Sequence, residues 1–216
     1  MKKIFTLIIV SIVLAAGVKA QQADSSSKVE PRFSVLFGLN QPIVFHGFNF
    51  EVSYWTKKWV FDYSHGIGLQ ADGKLLGDAY TSQHLDFKIA HSLGAGVGYR
   101  ITEAFNVRFE PKVHFYETYY EGDAHVKSNS LVNFRTYTLG LGAYYRWMPF
   151  AGARGALKGI TIAPSVRYWY KAGSTLHDGK YAYFNERTHK NEVMKAPNIG
   201  ISNTPFVLNV SVGYSF

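Results

Sequence analysis

Cysteine is absent from the 216 residues. That excludes disulfides, thiolate metal centres and a thiol nucleophile, and it leaves no acceptor for a lipid anchor. Charge is sparse at 18% of residues, and no run of Lys or Arg exceeds two. The formal net charge of +8 is therefore scattered rather than gathered into a strip that would track nucleic acid. No apolar run reaches the 18 or more residues of a transmembrane helix. Nothing repeats at 20–50 residues and no long amphipathic helix can be drawn. What the chain has in quantity is glycine, 20 residues, and aromatics, 16% of the total.

The N-terminus reads as a secretory signal. Lys2 and Lys3 precede an apolar run from Ile4 to Ala16, and Val18-Lys19-Ala20 offers small residues at a cleavage site. Cleavage is expected near Ala20, and a retained helix would need a longer run. Removing Lys2, Lys3 and Lys19 lowers the formal charge from +8 to +5. Residues 21–31, polar and containing Ser25-Ser26-Ser27, read as a flexible periplasmic lead-in. Residues 32–216 are expected to form a single barrel domain.

Alternation carries the rest. Phe206, Leu208, Val210, Val212, Tyr214 and Phe216 share one parity, against Val207, Asn209, Ser211, Gly213 and Ser215 on the other. A strand sends successive side chains to opposite faces. The pattern recurs eight times, over 32–40, 47–56, 58–69, 84–99, 104–120, 132–147, 159–171 and 204–216. The third stretch puts Phe61, Tyr63, Ile67 and Leu69 against Asp62, Ser64, Gly66 and Gly68. The fourth puts Leu85, Phe87, Ile89, Leu93, Val97 and Tyr99 against Asp86, Lys88, Ser92, Gly94, Gly96 and Gly98.

Alternation alone does not say which face is inside. The export signal favours an apolar face turned to lipid. So do the polar-face glycines, which leave room in a crowded lumen, and Tyr54, Trp55, Trp59, Tyr99, Tyr145, Trp147, Tyr168 and Tyr170, which fall at strand ends. Connections at 56–57, 100–103 and 148–158 are assigned to the periplasm, and those at 41–46, 70–83, 121–131 and 172–203 to the outside.

With its leader, alternation and Tyr214-Ser215-Phe216 ending, the chain resembles the small eight-stranded outer-membrane barrels, the OmpA/OmpX-like size class grouped as porin-family outer-membrane β-barrels. The resemblance implies an all-β, eight-stranded antiparallel up-and-down transmembrane β-barrel in the outer membrane of a Gram-negative bacterium. It implies outer-membrane lipid and lipopolysaccharide as surroundings. It also implies Tyr214 and Phe216 as part of the signal read by the barrel-assembly machinery. No peptidoglycan-binding domain of the two-domain type is expected after the last strand. No motif defines an oligomeric state, a cofactor or a metal.

The lumen face collects Arg32, Lys88, Lys112, Arg108, Arg146 and Arg167 against Glu51, Asp62, Asp86 and Glu110. Eight strands leave an interior just wide enough for side chains, and buried charges must be paired. A salt-bridge filling is therefore preferred over an ion path. A structural or surface-interaction barrel follows, with a narrow porin for small solutes as the alternative. Ser82, His84 and Asp86 share a face and suggest acyl transfer by a lipid A-modifying hydrolase. Their order and spacing oppose it, and no enzyme is expected. His91 falls on the lipid face, where a bulge turning it inward is expected. No pair among His65, His125, His177 and His189 has metal-ligand spacing on one face. The 172–203 loop, with Tyr181, Tyr183 and Phe184, reads equally as a recognition loop or as aromatic girdle plus solvated loop.

Overall fold

The computed structural model describes residues 32–200 and 203–216. The expected leader and lead-in lie outside the described residues. Eight strands close into a ring: β1 (Phe33–Gly38), β2 (Phe48–Trp55), β3 (Trp59–Ala71), β4 (Leu85–Arg100), β5 (Phe105–Tyr120), β6 (Val132–Tyr145), β7 (Ile160–Ser174) and, after a two-stranded insertion, β10 (Phe206–Ser215). Each pairs antiparallel with its neighbour, and β10 returns to β1 through Ser34↔Ser215 and Gly38↔Ser211. The fold is the all-β, eight-stranded up-and-down barrel. Closure satisfies every strand edge, which spanning strands require because lipid offers backbone groups no partner.

The connections at 56–58, 101–104 and 146–159 form one end of the ring, the turn end. Those at 39–47, 72–84, 121–131 and 175–205 form the loop end. Above the turn end, the outer surface is apolar for nine to eleven residues of each long strand, His65 and His91 excepted. These stretches run over 59–67 in β3, 91–99 in β4 and 105–115 in β5. A tilted strand needs about 9–11 residues to cross a bilayer. Large side chains stand exposed in this belt, Phe61 at 47% and Leu141 at 58%, while Ser53, Ser64, Asn106, Thr161 and Asn209 are buried inside. The barrel is inside-out over this height, and lipid is the solvent that suits it. The turn-end rim carries Trp59 packed edge-on to Tyr99, with ring centroids 5.4 Å apart.

Nearer the loop end the polarity reverses. Ile89 pairs with Tyr116 but His91 pairs with Phe115, so Ala90 is an additional residue in β4. Gly68 is the matching irregularity in β3, at φ +63°, a left-handed conformation that glycine adopts without strain. Each addition advances the alternation by one residue. Leu69, Ala71, Leu85, Phe87 and Ile89 therefore point inward, where they join Tyr116, Tyr120 and Phe134 in an apolar core. The sequence pattern assigned Leu69, Leu85, Phe87 and Ile89 to the lipid face; the bulge overturns that. In β5 no bulge is needed, because the inward residues themselves change from Glu110 and His114 to Tyr116 and Tyr120.

Loops complete this core. In the connection after β3, two short helices, α1 (Gly73–Leu76) and α2 (Asp78–Thr81), contribute Leu76 and Tyr80. The Asp72 carboxylate accepts from the Leu75 amide at 3.0 Å and starts the first turn. Within the expected loop 172–203, β8 (Lys180–Asn185) and β9 (Lys190–Lys195) pair as a hairpin that lays Met194 on the core. Tyr181 and Tyr183 stack on each other at 5.9 Å and pack against the same core, while Phe184 on the opposite face is 56% exposed. One aromatic face of the hairpin is therefore structural, and the other is exposed.

Candidate functional site

Polar chemistry concentrates in the interior, and it is layered. Lowest, at the turn end, lies Trp55. The expectation placed it in the outer girdle, but it shares the inward parity of Glu51 and Ser53 and is 4% exposed. Its Nε1 donates to Ser34 Oγ at 2.9 Å. The Arg146 and Arg100 guanidinium carbons stand 4.3 and 5.7 Å from its ring, a cation–π arrangement. Both arginines also donate to the Glu103 carbonyl.

The next layer centres on Arg108. Its Nη1 lies 2.6 Å from Glu51 Oε1 and 3.3 Å from Asp62 Oδ2, and its Nε donates to Asn106 Oδ1 at 2.7 Å. Its guanidinium covers Tyr144 at 4.1 Å. Ser53 Oγ adds a hydrogen bond to Glu51 at 2.8 Å. Above, the Tyr144 hydroxyl donates to Glu110, whose other oxygen is 4.0 Å from Lys112 Nζ. Arg167 Nε donates to Ser165 Oγ at 3.2 Å, and Lys112 lies 4.8 Å from the Trp169 ring.

Glycines make this packing possible. A Cβ on Gly98 would meet Arg108 Cγ at 2.6 Å, one on Gly140 the Trp169 ring at 2.7 Å, and one on Gly142 the Tyr144 ring at 2.6 Å. Each small residue is the floor under a large neighbour, which is the room the sequence pattern asked for. Higher still, both His114 nitrogens are engaged, with Ser92 Oγ and Thr138 Oγ1, each at 2.8 Å.

Six of the ten expected charges meet in this interior: Glu51, Asp62, Arg108, Glu110, Lys112 and Arg167. Arg146 lines its lower end. Three do not belong to it. The bulge turns Asp86 and Lys88 outward. Asp86 accepts from the Gly73 amide at 3.0 Å, and Lys88 pairs with Glu117 at 3.3 Å. Arg32 is exposed at the turn-end rim. Of the expected assembly residues, Tyr214 faces outward with its ring 5.0 Å from that of the exposed Phe216.

Ser82, His84 and Asp86 are not assembled: Ser82 is exposed, and His84 Nδ1 faces Glu121 Oε2 at 3.2 Å instead. His91 stays outward, because the bulge redirects the residues beyond it. There it meets His65, Nε2 to Nδ1 at 3.2 Å. This cross-strand pair depends on the register of β3 against β4, which sequence spacing does not show. Trp55 and Tyr144 were missed as interior residues, although parity with Glu51 and Arg146 was the available signal.

Two tyrosines at the loop end titrate above their ordinary range. Burial pushes the Tyr80 phenol up to about 12, opposed by a hydrogen bond with Asn203. Burial also raises Tyr183, aided by Glu192. Both hydroxyls act as donors, Tyr80 to the Lys195 carbonyl and Tyr183 to Gln83 Oε1, each at 3.1 Å.

No protein-family model matches the chain, and no curated protein matches it. Among solved structures, the crystal structure of Ail, the attachment invasion locus protein of Yersinia pestis, overlaps 87% of this chain and 100% of its own, at 15% identity and a TM-score of 0.42. The backbone structure of Ail in a phospholipid bilayer nanodisc overlaps the same shares at 16% identity and 0.37. The chain is an eight-stranded membrane-type β-barrel. That statement rests on the closed strand order and the outward apolar belt described above.

Proposed function

We propose that the protein is an integral outer-membrane β-barrel that conducts nothing and acts through the folded cap at its loop end. The turn end faces the periplasm and the loop end faces outward. The observation that carries this reading is the double filling of the interior: a charged, aromatic layer below and an apolar core above. The cap is built like a small soluble domain and presents Phe184 and Val193 beside Lys180 and Lys195 on one hairpin face. Exposed aromatics with flanking cations suit contact with an anionic surface partner, lipopolysaccharide among them. Tyr214 and Phe216 serve the barrel-assembly machinery in this reading.

Planar-bilayer recording tests it. Wild-type protein is expected to stay at baseline. So is a variant in which residues 179–196 are replaced by a short Gly-Ser turn, because the charged layer still fills the ring. Steady ion-selective openings of the wild type would establish the narrow porin instead. Openings only after hairpin removal would make the cap a gate.

A further inference from the structure

Between the charged layer and the apolar core the barrel holds a cavity of about 70 Å³. Its floor is polar: Lys112, Arg167, His114 and Ser92. Toward the loop end its wall carries the apolar Phe45, Leu69, Ile89 and Ile199, with Trp169 at the side, beside the polar Gln41 and Asn49. This is an amphiphilic enclosure inside a membrane barrel, and its floor has more positive than negative charge.

The imbalance follows from the pairing. Glu51 and Asp62 both belong to Arg108. The carboxylate nearest to Lys112 is Glu110, whose Oε2 accepts from Tyr144 and whose Oε1 makes no hydrogen bond and stands 4.0 Å from Lys112 Nζ. The Lys112 side chain is 7% exposed and Arg167 is 6% exposed, so both are more than nine-tenths buried. Among the described residues, Lys112 Nζ makes no hydrogen bond, and its nearest carboxylate oxygen is 4.0 Å away. Arg167 uses only Nε, on Ser165. Neither the ammonium nor the outer guanidinium nitrogens have acceptors, although buried cations ordinarily do. His114 supplies none, because both its nitrogens are taken.

We infer that this cavity binds a short-chain monocarboxylate. Its two oxygens sit between Lys112 and Arg167, and its alkyl end points toward Leu69, Ile89 and Ile199. Its one negative charge faces a cavity lining that holds two cations and no carboxylate. The volume sets the size. A cavity of about 150 Å³ accepts benzene, so roughly half of that suits a ligand of propionate class. A bare inorganic anion would satisfy the floor and leave the apolar wall empty. Entry is from the loop end, where Gln41, Phe45 and Ile199 line the cavity.

The test is calorimetric titration of the full barrel in nanodiscs with propionate at fixed ionic strength, beside chloride, phosphate, propylamine and 1-propanol. Propionate is expected to bind saturably with one site, and the cationic and neutral isosteres not at all. Lys112→Gln removes the charge. Ile199→Trp fills the apolar end from a loop and leaves every charged residue in place, so it remains informative if Lys112→Gln does not fold. Each is expected to weaken propionate binding about tenfold or more. Absence of saturable propionate binding to the wild type overturns the inference. So does chloride or phosphate binding as tightly as propionate, 1-propanol matching it, or full affinity in a folded Ile199→Trp protein.

Discussion

Replacing Arg108 by methionine removes the cation that two interior carboxylates share. The geometry fixes what is lost: the 2.6 Å contact to Glu51, the 3.3 Å contact to Asp62 and the hydrogen bond to Asn106. The side chains of Arg108, Glu51 and Asp62 are 2%, 5% and 0% exposed, so water does not replace the missing partner. Breaking a buried pair by removing one member costs about 3–5 kcal/mol, because the remaining charge stays uncompensated. Were the lumen water-filled, the same contacts would fall in the surface range of about 0–1 kcal/mol. Arg108→Met is therefore expected to destabilise by about 3–5 kcal/mol. Adding Glu51→Gln should restore part of that loss, since it deletes one stranded carboxylate. The coupling between the two positions should reach about 1–3 kcal/mol. Urea unfolding of barrels folded into lipid vesicles, followed by tryptophan fluorescence and heat-dependent gel migration, measures all three variants. A loss below about 1 kcal/mol for Arg108→Met, with additive behaviour in the double variant, would refute the filled interior.

Two further outcomes are expected. Phe87→Ala should cost about 3–5 kcal/mol, the range for truncating a core phenylalanine, because the bulge makes Phe87 fully buried against Tyr80; a loss as small as that of the lipid-facing Phe109→Ala would return Phe87 to the outer surface. The cap should loosen at alkaline pH. The Tyr80 pKa is raised by burial from 10.0 to about 12, so its stabilisation is complete below pH 10 and is lost as pH climbs from about 10 to 12. Tyrosinate absorbance and protease cleavage within 179–196 should rise together over that window, and Tyr80→Phe should remove its share of the transition.

The ring itself was legible in the sequence because spanning strands repeat one rule, alternation, for nine or more residues. Each of the eight barrel strands overlaps its expected stretch, and the glycines at 98, 140 and 142 marked where large interior side chains lie. Legibility ended where the rule changes. Alternation through 85–99 looks unbroken on paper, since Leu85, Phe87, Ile89, Leu93 and Val97 share a parity. Only the pairing of Ile89 with Tyr116 and of His91 with Phe115 reveals the additional residue between them. Parity is a local property, whereas facing depends on register with the neighbouring strand. The same blindness hid the His65–His91 contact, and it put Asp86 and Lys88 in a lumen they do not enter. The β8–β9 hairpin escaped for another reason: it pairs within a connection and has no partner in the ring whose pattern would extend to it.

The reversal of polarity explains how this chain joins a membrane-type barrel to a folded cap. Below Gly68 and Ala90 the solvent is lipid, so apolar residues face out and charges are gathered inside. Above them the solvent is water, and the hydrophobic effect asks for the opposite arrangement. A single additional residue in β3 and one in β4 switch two strands from one regime to the other without breaking the ladder, and β5 makes the switch by composition alone. The outward pair of Lys88 with Glu117, at 3.3 Å, then lies just beyond the apolar belt rather than in it. The same switch turns Leu69, Phe87 and Ile89 into the seat on which Tyr80 and Met194 pack. The cap is thus folded by the barrel beneath it. Its exposed hairpin face is held on a rigid support, which is the property a recognition surface needs and a free loop lacks.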